Sequence, residues 1–231
     1  MFKKLEGLDF ASHGKLKFAP TGNYGFAAGQ HLVPLSFSET AVVSKYYPIV
    51  FPERGPFIPQ ALLALKQGEN VYVDKEGKWT VPYIPAFIRR YPMTLAVVDD
   101  SKKYAVLIDR DAPHFNEKEG IDLFDGEGQV SQEIRKQIEF LDLVNREMTA
   151  TASLCNQLGE QGVLIPKKLE LRKDDEKQFT VGGFQTVDTQ KLAAVNPEVL
   201  ASWVKNGLMS VIYAHLFSLV NIDKVAATVT A

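Results

Sequence analysis

Cysteine is nearly missing from this sequence: Cys155 is the only one among 231 residues. A lone thiol excludes an intrachain disulfide and a cysteine-only metal cluster. Its setting, ATASLCNQLGEQG, reads as helix, where a free cysteine behaves as a small buried hydrophobe. Histidine is scarce too. His13, His31, His114 and His215 stand far apart, and none belongs to a short two-histidine pair, an H-x-D pair or an H-E-x-x-H run. The local signatures of zinc hydrolases and non-haem iron sites are therefore missing. Charge of one sign is lacking as well. Lys and Arg number 26 against 28 Asp and Glu, which gives no global basic field for nucleic acid or an anionic membrane.

Long hydrophobic runs are also absent. No apolar stretch follows the N-terminal MFKK, so no secretory signal is expected. The most apolar segment, residues 207–222, is shorter than the roughly 20 residues of a spanning helix and contains His215. It is expected to be a buried, central helix with His215 as a hydrogen-bonded core residue. The glycines form no phosphate loop and no G-x-G-x-x-G, and there is no G-x-S-x-G elbow for a serine nucleophile. Asp109, Asp111, Asp122 and Asp125 invite a calcium reading, but Pro113 breaks the series and Gly120 and Gly126 fall out of step. The absences together predict a soluble cytoplasmic protein. They predict no nucleic-acid partner, no integral membrane segment, no metal site and no cofactor.

What is present is an ordinary globular composition, 45% hydrophobic and 23% charged, long enough for a substantial core. Residues 1–29, rich in Gly, Lys and aromatics, read as an extended N-terminal arm. Residues 30–231 read as a single domain, with a point of subdivision near 130–160. Strands are expected at 31–35, 49–51, 57–65 and 70–74, with a hairpin of 94–98 and 104–108. Ser36 and Glu39 have capping-box spacing before a helix at 37–46. Residues 110–130 read as a long polar loop with one apolar anchor, Leu123-Phe124, that leaves His114 exposed. Ser131 is placed to cap the longest helix, whose Ile134, Ile138, Leu141 and Val144 make one stripe, with Gly159 as its stop. Strands at 164–171 and 178–181 follow, then a helix capped by Asp188 and another opened by Asn196-Pro197. The fold class is α+β, with mostly antiparallel sheet, a long central helix and a C-terminal helical segment.

The densest chemistry lies in residues 70–93, where Trp79, Tyr83, Phe87 and Tyr91 surround Arg89 and Arg90. A guanidinium framed by aromatics can hold a carboxylate or phosphate bidentately. These six are the candidate ligand-binding residues. The competing reading makes one arginine the partner of a buried carboxylate such as Asp74 or Asp109. Adjacent side chains in a regular element cannot face the same way, so one of the two is expected to be structural.

Four stretches carry a resemblance: VPLSFSETAVVSKYYPIVF (33–51), GENVYVDKEGKWTVPYIPAFIRRYPM (68–93), GIDLFDGEG (120–128) and VDTQKLAAVNPEVLASWVKNGLMSVIYAHLFSLVNI (187–222). On them the chain resembles the SapC family, named for bacterial surface-layer (S-layer) protein export loci. The resemblance supplies no reaction and no catalytic residues. It implies an accessory role with a protein or peptide client, beside a modification enzyme or an export component. Three readings stay open. One is a non-enzymatic peptide-binding accessory protein. A second is an oxidative or hydrolytic enzyme whose site would draw on His31, His114, Asp109, Asp111 and Arg89. An oligomeric structural component is a third, which a large apolar surface patch would favour.

Overall fold

A computed structural model of the chain describes residues 1–98, 104–173 and 177–230. From the N-terminus, β1 (Leu5–Gly7), α1 (Phe10–His13) and β2 (Lys17–Phe18) lead through a 3-10 turn at Gly25–Ala27 to β3 (Leu32–Pro34). A second 3-10 turn, Phe37–Glu39, runs into α2 (Thr40–Val43), then β4 (Ile49–Pro52), β5 (Gln60–Leu62) and α3 (Ala86–Arg89). The hairpin β6 (Met93–Val97) and β7 (Tyr104–Asp109) precedes β8 (Phe115–Asn116) and β9 (Ile121–Asp122). Next come α4 (Gln132–Glu160), β10 (Leu164–Lys173) and β11 (Lys177–Val187). The chain closes with α5 (Thr189–Ala193), α6 (Pro197–Asn206), α7 (Leu208–Ser218) and α8 (Ile222–Thr230). The turn expected at 99–103 lies outside the described residues.

The fold is α+β, and the described strand pairs are antiparallel. Three sheets form, in the orders β1-β7-β6, β10-β11-β4-β5-β3 and β8-β2-β9. One core packs around β3, β4 and β5 with Tyr47, Tyr72 and Trp79; a second lies under β6, β7 and β8; a third gathers Phe51, Trp203 and α7. Helix α4, about 43 Å long at 1.5 Å per residue, links two of them. Its Ile134 and Leu141 enter the second core, while Cys155 and Leu158 enter the third.

Local grammar built much of this. Asp188 accepts the amides of Gln190 and Lys191, and Asn196 that of Glu198 before Pro197. Gly207 ends α6 in the left-handed region at φ 88°, which a residue without Cβ adopts cheaply. Gly159 does not stop α4. It lies inside the helix, where an added Cβ would stand 2.1 Å from the Phe57 ring. Its role is close packing.

Four further expectations are corrected. Residues 70–74 form no strand beyond an isolated bridge between Val73 and Trp79. Asn70 Oδ1 takes the Tyr72 amide at 2.9 Å and Asp74 Oδ1 the Lys78 amide at 2.8 Å, and such side-chain turns compete with a ladder. Residues 110–130 are not all loop, since β8 and β9 flank β2 on its two sides; Leu123 and Phe124 are buried as the anchor expected there. Ser131 begins α4, but its hydroxyl donates to the Asp122 carbonyl at 2.6 Å instead of capping. Helix α7 is not buried all round: Tyr213 and Phe217 are exposed with their rings stacked 6.0 Å apart, and Val220 beyond them is exposed too. With α8 it makes a helical run, Leu208–Ala227, long and apolar enough by length and composition to cross a membrane, with less than half of it buried in the body.

Candidate functional site

The segment 79–91 is held by a hydrogen-bond relay. Trp79 Nε1 donates to the Tyr47 hydroxyl at 2.7 Å, and that hydroxyl donates to the Tyr83 carbonyl. The Tyr83 hydroxyl donates to Glu39 Oε2 at 2.8 Å, and the Ala86 amide donates to the same oxygen at 3.0 Å. Glu39 Oε1 takes the Ser36 amide at 3.2 Å. The capping-box carboxylate thus also fixes the start of α3. Burial pushes its pKa up, against the pull of these donors. Trp79 is turned into the core, and burial drives the Tyr47 hydroxyl far above its ordinary value.

Helix α3 then separates the two arginines, as adjacency requires. Arg89 is exposed, donates from Nε to the Ile84 carbonyl at 3.0 Å, and lies 5.1 Å from the Phe140 ring and 5.9 Å from the Tyr83 ring. With Glu39, Ser38 and Glu147 it borders a groove of about 130 Å³, and the Ser38 hydroxyl donates to the Glu147 carboxylate there.

Arg90 points elsewhere. Its guanidinium sits 3.7 Å over the Phe87 ring and 5.7 Å from that of Phe2. It lines a cavity of about 210 Å³ walled by Ile58, Leu95, Leu141, Val144 and Met148, with Asn145 as the other polar wall. Among the described residues no ion pair reaches Arg90, and its Nε is buried without a hydrogen-bond partner. Desolvation lowers its pKa to about 10, so it stays charged at neutral pH. Asp109, offered above as a partner for an arginine, is wholly buried and engaged otherwise. It accepts the amides of Lys3 and Lys4 at 2.9 Å each and the Tyr91 hydroxyl at 3.1 Å. Burial pushes its pKa up, but these donors outweigh that and hold it below the usual carboxylate range.

Tyr91 opens on a third cavity, about 240 Å³, with Phe18, Phe26, His114, Arg89 and Gln137 around it. His114, expected in solvent, is 5% exposed. The pairing of β8 with β2 carries it inward and sets its ring parallel to Phe18. Sequence reasoning missed it because the burying strand lies nearly a hundred residues upstream.

A family model for SapC matches residues 8–225. The chain belongs to the SapC family. The match takes in α3, α4 and all three cavities, and begins after Phe2, Lys3 and Lys4, whose contacts with Arg90 and Asp109 therefore lie outside it. No curated protein and no solved structure matches the chain.

The residues named for an enzyme are only partly gathered in this SapC-family chain. His114 and Arg89 line one cavity. Asp109 meets it through Tyr91, whose ring lies 5.3 Å from that of His114. Asp111 is exposed, and no hydrogen bond or ion pair among the described residues joins the His31 side chain to the others. Among the described residues no three His, Cys, Asp or Glu side chains converge as a metal-binding group.

Proposed function

We propose that this SapC-family protein is a non-enzymatic cytoplasmic accessory protein that binds a peptide or protein client in surface-protein export or modification. The Arg90 cavity is its recognition site. One observation carries the reading: a half-buried guanidinium, without a carboxylate partner among the described residues, faces an apolar cavity. Removing an arginine from water without pairing it is costly. A site that keeps such a charge is prepared for an anion arriving from outside. Carboxylates meet guanidinium with paired, charge-assisted hydrogen bonds. The walls of Leu141, Val144 and Met148 call for an apolar side chain beside the carboxylate, and about 210 Å³ admits one residue. Phe87 stacked beneath Arg90 holds the fork in place. The client is therefore gripped by one carboxylate-bearing apolar position, with the rest of its chain crossing the surface of α4. The S-layer connection rests on the family to which the chain belongs.

The test compares short fluorescent peptides ending in Leu or Phe, as free acids and as C-terminal amides, titrated by anisotropy against the protein and against Arg90→Met. The free acid should bind, with the amide and the variant at least ten-fold weaker. Equal binding of acid and amide, or no binding of either, would overturn the reading.

A further inference from the structure

We propose that the cavity between Phe18, Phe26, Tyr91 and His114 is a second, separate binding site, for a one-ring aromatic carboxylate bearing a hydroxyl. Its size sets the scale: about 240 Å³ is the room of roughly eight waters at about 30 Å³ each, which suits a molecule of about ten heavy atoms. Its walls set the ring. Phe26 stacks on Tyr91 with centroids 3.9 Å apart, and His114 meets both edge-on at 5.9 and 5.3 Å. Phe18 lies parallel to the imidazole at 6.2 Å. Another flat ring adds to such an array by offset or edge-to-face contact.

His114 sets the hydroxyl. Its Nε2 lies 3.3 Å from the Thr21 hydroxyl oxygen, which is itself 3.4 Å from the Asn23 carbonyl. Its Nδ1 is buried with no partner among the described residues. If the Thr21 proton goes to Asn23, Nε2 carries the ring proton and Nδ1 is a bare acceptor. If that proton goes to Nε2, Nδ1 carries the ring proton as an unused donor. Nδ1 is sealed from the open space of the cavity, so the wall over it must shift to admit a ligand; a hydroxyl then answers either tautomer, because it both donates and accepts. Burial lowers the His114 pKa, so the ring is neutral and does not compete for the anion.

Arg89 sets the carboxylate. It stands exposed at the same cavity with Gln137. Glu39, the acidic group it senses, is occupied by Tyr83, Ala86 and Ser36, and no described ion pair claims the guanidinium.

Calorimetric titration with 4-hydroxybenzoate, benzoate, phenol and cyclohexanecarboxylate tests this. One saturable site for 4-hydroxybenzoate is expected, with benzoate and phenol each about ten-fold weaker and the cyclohexane acid unbound. His114→Phe should erase the preference for 4-hydroxybenzoate over benzoate, and Arg89→Met the preference for it over phenol. The His114 ring nitrogen resonances of the wild type should shift on saturation, a readout free of any folding defect in the variants. Arg90→Met should leave all of this intact, which separates the site from the peptide cavity. No saturable binding, an unmoved His114 signal, or binding lost through Arg90→Met but kept in Arg89→Met would overturn the assignment.

Discussion

Two buried histidines in this molecule differ in one respect, and the difference separates scaffold from site. His215, on α7 in the third core, has both ring nitrogens engaged: Nδ1 faces the Ile49 carbonyl at 2.7 Å, and Nε2 accepts the Val187 amide at 3.0 Å. It ties α7 to β4 and β11 at once. His114, in the aromatic cavity, has Nε2 near Thr21 and Nδ1 unpartnered among the described residues. Burial lowers the pKa of both. Only the first has a backbone that depends on it. The same contrast divides Asp109, saturated with donors, from Arg90, which has an open valence. Closed polar groups hold elements together, whereas open ones cost stability and are kept for what they bind.

The largest effect should fall on His215. His215→Phe would orphan the Val187 amide and the Ile49 carbonyl and crowd a sealed site, costing about 3–5 kcal/mol. Denaturant unfolding measures it. The wild type should also show the histidine's own pH window. Its folded pKa is held down to about 4 from an ordinary 6.5. The stability it contributes is therefore complete above 6.5 and lost as pH falls toward 4, on the order of 3 kcal/mol in all. A flat stability profile between those pH values would show that His215 takes up its proton in the fold.

Asp109→Ala should come next, at about 2 kcal/mol. The Tyr91 hydroxyl loses its acceptor, while the Lys3 and Lys4 amides turn to water. Because the folded pKa of Asp109 is depressed, its contribution is present above the unfolded value and lost as pH falls through the folded one. Amide exchange at Lys3 and Lys4 should accelerate in strong acid in the wild type and be fast at all pH in the variant. Protection of those amides in the variant would sink the assignment of Asp109 as the anchor of β1.

How much of this was legible beforehand follows from how far apart the deciding contacts lie. The stripe of α4, the β6–β7 hairpin and the caps at Asp188 and Asn196 depend on neighbours in sequence and could be read there. So could the divergence of Arg89 and Arg90, which adjacency alone demands, though not which of them met the apolar cavity. The missing strand at 70–74 had its cause in plain view, in Asn70 and Asp74, whose side chains favour turns over a ladder. His114 could not be placed: its burial depends on residues 17 and 18, which pair with β8. Asp109 was one of two carboxylates offered as the buried partner of an arginine; it is buried, but its partners are the Tyr91 hydroxyl and the backbone amides of residues 3 and 4, and backbone donors leave no mark in side-chain identity.

Arg90→Met carries the comparison to the opposite sign. The substitution gives up the contact with Phe87, worth about 0.5–2 kcal/mol. It also relieves a half-buried guanidinium with no described anionic partner, and replacing such a charge with a well-packed apolar chain is neutral or stabilising. The melting temperature should therefore stay level or rise while the free-acid peptide is no longer bound. A fall comparable to that of Asp109→Ala would mean that Arg90 is scaffold after all.

The smallest effect should come from His114→Phe, the same change that is ruinous at His215. The variant forgoes one long contact at 3.3 Å with Thr21, whose hydroxyl retains the Asn23 carbonyl within reach. No backbone amide accompanies it, and an apolar ring replaces a nitrogen that burial had left without a partner. Against Phe18, Phe26 and Tyr91 the phenyl ring keeps the stacking that imidazole made. Net destabilisation should stay within about 1 kcal/mol, the usual range for a shape-conserving exchange. The informative quantity is the ratio between the two histidine variants measured in one buffer at pH 7.5, where both rings are neutral. If His114→Phe destabilises as much as His215→Phe, an open valence in this fold does not mark a site, and the binding roles drawn from Arg90 and His114 lose their common basis.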